Sequence, residues 1–182
     1  MSFAACNIPS GRSGRSGRVA LAGALAGVIG VAGCAMDRAE AVKAEVARYL
    51  YPGEILYFKS DMDCTAAVFK AVSDDVKSSI RLASSVEEAI RLVQRNGTVG
   101  FHRFGLSPNE ITEQLDTLDR SFALGMVTAS VAAKNCMTAE VQQRFFDVLQ
   151  MPDASIIYDK ERRVVIVLDT QRRTILFGRG NL

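Results

Sequence analysis

Residues 155–177 read SIIYDKERRVVIVLDTQRRTILF, and this stretch decides the fold. Three runs rich in β-branched and aromatic residues, 155–158, 164–169 and 174–177, are joined by polar segments at 159–162 and 170–172. Short polar connections between such runs predict an antiparallel three-stranded meander. Val164 to Leu168 is apolar without alternation, which predicts a central strand covered on both faces. Arg162-Arg163 and Arg172-Arg173 fall at the turns, where solvated guanidiniums are expected. Contact with anionic lipid heads or cell-wall carboxylates is the alternative for them.

Upstream the period changes to that of helices. Ala39, Val42, Val46 and Leu50 recur at three- and four-residue steps, predicting an amphipathic helix over 37–50 that Tyr51-Pro52-Gly53 stops. Residues 64–72, 74–83, 86–96 and 138–149 are also expected to be helical. Ser85 with Glu88 forms a capping box for the third of these, and Gly97 ends it. Ser107-Pro108 opens a further helix expected to run to about Lys134, with Gly125 as a point of bending. Residues 55–58 and 98–104 have strand character. Several amphipathic helices followed by a C-terminal three-stranded antiparallel meander give an α+β class.

The chain has 182 residues, 48% hydrophobic and 23% charged, with a formal net charge of +2. Those proportions fit one ordinary globular domain and argue against disorder. The first residues stand apart from it. Arg12, Arg15 and Arg18 precede an uncharged apolar run over 19–32, and no acidic residue occurs before Asp37. A basic start, a short apolar stretch and a small-residue exit predict a secretory signal peptide. The run is too short for the roughly 20 residues of a membrane-spanning helix. Removing residues 1–33 takes Lys+Arg from 22 to 19 against 20 Asp+Glu. The domain over 34–182 is then nearly neutral, which gives no case for nucleic-acid binding.

Val31-Ala32-Gly33-Cys34, placed at the end of that apolar run, resembles a bacterial lipobox. The resemblance covers residues 1–34. It implies that the Cys34 thiol receives a diacylglyceryl group, that the peptide is cut before it, and that the new amino terminus is acylated, with palmitate as the expected chain. It also implies a lipoprotein of the cell envelope, held in the membrane by its acyl chains. Ala35 follows the cysteine, where an aspartate retains enterobacterial lipoproteins in the inner membrane. The expected location is therefore the outer membrane, facing the periplasm.

Few residues point to catalysis. His102 is the single histidine, and no Cys-x-x-Cys pair, phosphate-binding glycine loop or Gly-x-Ser-x-Gly elbow accompanies it. No cofactor or metal is expected. Asp61, Asp63, Asp74 and Asp75 form the densest acidic region, read as a solvated loop and helix cap rather than a calcium loop. With Cys6 in the signal and Cys34 lipidated, Cys64 and Cys136 remain. An even pair in an oxidising compartment is expected to form a disulfide. The competing reading starts from Asp63-Cys64-Thr65-Ala66, which resembles the Asp-Cys-Ser-Gly segment of NlpC-type cell-wall peptidases, with Thr and Ala in place of Ser and Gly. That resemblance implies a nucleophilic Cys64 assisted by His102, acidified at a predicted helix start.

The expectation from sequence is a membrane-anchored envelope lipoprotein with a binding or accessory, non-enzymatic role. Its partners would be the lipid bilayer, through Cys34, and an envelope protein or cell-wall component. A cysteine hydrolase using Cys64 and His102 is one alternative. A carrier with an apolar pocket between helices and meander is another.

Overall fold

The computed structural model describes residues 36–180. The meander consists of β4 (Ser155–Asp159), β5 (Val164–Asp169) and β6 (Thr174–Gly180), paired antiparallel in chain order. One sequence device makes both turns. In Asp159-Lys160-Glu161-Arg162-Arg163 and again in Asp169-Thr170-Gln171-Arg172-Arg173, the aspartate Oδ1 accepts from the backbone N–H three residues on, at 3.0 and 2.9 Å. The guanidinium of that same residue reaches Oδ2 at 3.4 and 3.3 Å. The second arginine then takes a left-handed φ, 53° at Arg163 and 51° at Arg173. Each turn thereby sets its register, Asp159 opposite Val164 and Asp169 opposite Thr174.

The meander is half of a larger sheet. Six antiparallel strands lie in the order β1-β2-β6-β5-β4-β3, with β1 (Pro52–Ser60) and β2 (Cys64–Ala71) on one side and β3 (Thr98–Phe101) on the other. The expected three-stranded sheet is corrected to six, and the expected helix over 64–72 is β2. Its alanines favour a helix locally, but burial of Ala66 and Val68 on one face and Ala67 and Phe69 on the other overrides that preference. Residues 74–83 form no helix either. They are tied to their surroundings by Lys77 Nζ on the Ala47 carbonyl at 2.5 Å and by the Ala83 N–H on Gly100.

Helix α1 (Ala39–Val46) covers one face of the sheet, setting Val42 and Val46 against Phe69, Ile166, Leu168 and Phe177. The other face is covered by α2 (Val86–Asn96), α3 (Pro108–Leu118), α4 (Arg120–Ala133) and α5 (Ala139–Leu149). Burying each large aliphatic side chain between these layers contributes about 1.5–3 kcal/mol. Ser85 caps α2, but the Glu88 carboxylate turns to the Ser84 N–H, so that box is incomplete. Ser107 and Glu110 complete theirs at α3. The single helix expected from Ser107 to Lys134 is two. Asp119 leaves helical geometry (φ −147°, ψ 83°), and its carboxylate accepts from the Phe122 N–H at 3.0 Å to start α4.

Candidate functional site

Cys34 lies outside the described residues. Three positions on, Asp37 is clamped to the sheet. Its Oδ2 accepts from Arg179 Nη1 and from Thr65 Oγ1, both at 2.7 Å, and its N–H donates to Ser60 Oγ at 3.1 Å. Arg179 also pairs with Glu45 of α1. The start of the domain is thus held at the sheet end where Ser60, Thr65 and Arg179 meet.

Cys64 and Cys136 form a disulfide with Cα atoms 5.8 Å apart, joining β2 to the 3₁₀ turn Lys134–Cys136 that follows α4. The Tyr57 hydroxyl donates to the Cys136 carbonyl at 2.7 Å beside it. Cys64 and His102 are not brought together. Three strands, β6, β5 and β4, separate β2 from β3, so four spacings of about 4.8 Å put them roughly 19 Å apart across the sheet. They also sit at opposite ends, Cys64 beside Gly180 and His102 just beyond the Phe101–Ile156 pair. His102 Nδ1 lies 2.7 Å from Ser155 Oγ. Burial, helped by the charge of Arg103 and opposed by Asp75, lowers its pKa.

The acidic residues fall into two separate groups. Asp61 and Asp63 occupy the β1–β2 turn, while Asp74 and Asp75 follow the far end of β2. The four turn arginines differ. Arg162 pairs with Asp159 and Glu45, Arg172 with Asp169, and Arg173 with Asp74. Arg163 makes no ion pair with a described residue, and neither does the nearby Lys160.

Those two cations stand at the mouth of a cleft of about 410 Å³ between α4 and the β4–β5 turn. From α4 it is lined by Leu124, Gly125, Thr128 and Ala132, and Gly180 closes one side. Missing side chains on β6 bring the helix this close. A Cβ at Gly178 would come within 2.8 Å of Ala133, and one at Gly180 within 2.7 Å of Ala132. Tyr158 enters from β4, 3% exposed, its ring stacked on Phe122 at 5.5 Å. Its hydroxyl reaches the cleft and bonds to no described residue. Burial first, and Asp159 second, raise its pKa, with Arg163 pulling the other way. Among the described residues, no acidic one lines the cleft. The arrangement can therefore hold an acceptor group.

Tyr158 and Lys160 did not stand out in the sequence as a site, and Arg163 did so only as one of four turn arginines with anionic lipid heads or cell-wall carboxylates as the alternative contact. The signal that marks the place is in α4. From Ser121 to Ala133 it has no charged residue, although Leu124, Val127 and Val131 face outward at 51%, 43% and 57% exposure. A helix without a polar face is unusual for a solvent-exposed position. Comparison with family models, curated proteins and solved structures finds no match for the chain.

Proposed function

We propose that the chain is an exported envelope lipoprotein, acylated at Cys34, whose domain binds another component rather than catalysing a reaction. The disulfide carries this reading. It joins the two cysteines that remain once Cys6 and Cys34 are assigned to the signal and the lipid, and such bonds persist in oxidising compartments outside the cytosol. The Asp37 clamp adds an orientation. Only Ala35 and Met36 lie between it and Cys34, and three residue steps extend at most about 11 Å. An acyl anchor would hold the Asp37 end of the sheet against the bilayer, on the periplasmic side of the outer membrane.

A hydrolase centred on Cys64 and His102 finds no support in the site. The sulfur is bonded to Cys136, and the imidazole lies at the other end of the sheet, near strand β3. Cys34→Ser tests the anchor. The expected result is an uncleaved precursor or release from the membrane fraction, with the wild-type protein carrying the mass of three acyl chains. An unmodified Cys34 on the mature wild-type protein overturns the reading.

A further inference from the structure

We propose that the cleft between α4 and the β4–β5 turn binds a small anionic amphiphile, its acidic head held by Lys160, Arg163 and the Tyr158 hydroxyl and its apolar body lying along α4. This goes beyond the anchoring at Cys34 and does not rest on it. The cleft's volume of about 410 Å³ falls within the range of small-molecule sites, about 300–1,000 Å³. Its polar groups fix the charge of the ligand. Tyr158 is 97% buried, and its hydroxyl lines the space and bonds to no described residue. A hydroxyl at a cleft wall that bonds to no described residue can donate to an acceptor that enters the cleft.

Lys160 and Arg163 are the cations of the lining, and neither forms an ion pair with a described residue. The contrast with the neighbouring turn is informative. Arg173 occupies the position equivalent to Arg163 in the repeated Asp-x-x-Arg-Arg loop, takes the same left-handed φ, and is paired with Asp74. Arg163 lines the cleft without an ion pair to a described residue. Donors converging without an acid select an acceptor of negative charge, which a guanidinium fork binds with two hydrogen bonds. The rest of the wall carries no charge and, apart from the hydroxyls of Ser121 and Thr128, is apolar, which suits an apolar body. Leu124, Ala129, Ala132 and Gly180 carry no polar side-chain atom, and α4 offers no charge over its length from Ser121 to Ala133.

The test is photo-crosslinking of the full chain in its membrane fraction with a ten-carbon carboxylate bearing a diazirine, the labelled peptides being mapped by mass spectrometry. Label is expected on α4 between Ser121 and Ala132 and on the stretch from Tyr158 to Arg163. Decanoate should compete, while decanol, which lacks the charge, and acetate, which lacks the tail, should not. The Lys160→Glu/Arg163→Glu double variant should lose at least tenfold of the labelling, since both side chains are exposed and their replacement leaves the core intact. Thr128→Phe, which fills the cleft from its exposed wall, should do the same without altering charge. Cys34→Ser, labelled in whichever fraction holds it, membrane or soluble, should label like the wild type, which separates failure of this site from failure of the anchor. Labelling unchanged in both cleft variants overturns the proposal. Equal competition by decanol, or label spread over the chain, also overturns it.

Discussion

Gly125 and the Tyr158 hydroxyl occupy adjoining space, so that a Cβ on Gly125 would lie 2.3 Å from the phenolic oxygen. The glycine sits inside a helix, where it costs about 1 kcal/mol relative to alanine. Here that cost admits a tyrosine beneath α4. Gly125→Ala is expected to destabilise the domain by about 1–2 kcal/mol, as overpacking exceeds the gain in helix propensity. Tyr158→Phe removes the offending oxygen, and in that background Gly125→Ala should lose most of its penalty. Urea denaturation of the two single variants and the double variant measures the coupling. An additive result refutes the contact.

The disulfide closes a separation of 72 residues. Constraining the unfolded chain over such a loop is worth about 4 kcal/mol in the loop-entropy model. That is a large fraction of a typical domain stability of about 5–15 kcal/mol. Cys64→Ser and Cys136→Ser should each lower the melting temperature by a similar amount, and the double variant should lose little more. Reduction of the wild type should reproduce the effect. Two free thiols in the denatured, unreduced protein would count against the bridge.

Much of this fold was legible because local chemistry and tertiary environment agree. The β-branched runs joined by short polar segments announce β4, β5 and β6, and Ser107-Pro108 announces α3. Two places misled. Residues 64–71 are rich in alanine and read as helix, yet as β2 they are buried on both faces between two strands, which a periodicity of local sequence does not reveal. Asp119 interrupts an unbroken apolar repeat because its carboxylate caps the next helix, an effect of one side chain. The cleft was illegible for another reason. Tyr158 reads as an ordinary strand residue and Arg163 as one of four turn arginines, solvated or in contact with anionic groups, and only the packing of α4 on Gly178 and Gly180 sets them around one space.

Val167 is fully buried in β5, with its neighbours Ile166 and Leu168 buried on the opposite face. No register slip of this strand reaches solvent, because either face meets a core. Val167→Asp should cost about 3–5 kcal/mol by placing an uncompensated charge among apolar side chains. Val167→Thr should cost distinctly less. Comparable melting temperatures for wild type and Val167→Asp would mean that the helices do not cover this face.

His102 gives the domain a pH dependence of predictable sign. Its pKa is lowered in the folded state, chiefly because burial disfavours the imidazolium, with Arg103 adding to the effect. The unfolded chain then binds a proton more readily, near the usual pH 6.5 of histidine, than the folded chain does. The neutral ring's contribution is complete above that value, and stability falls as the pH drops below it towards the lower folded pKa. No other histidine titrates in this window, since the chain has one. Denaturation free energies measured from pH 7.5 down to about 5.5 should therefore decline in the wild type. His102→Asn, which keeps a hydrogen-bonding group for the Ser155 hydroxyl and does not titrate, should flatten that decline. A wild-type profile that rises as the pH falls through this range would show that the folded state prefers the charged ring, and that Asp75 outweighs burial and Arg103.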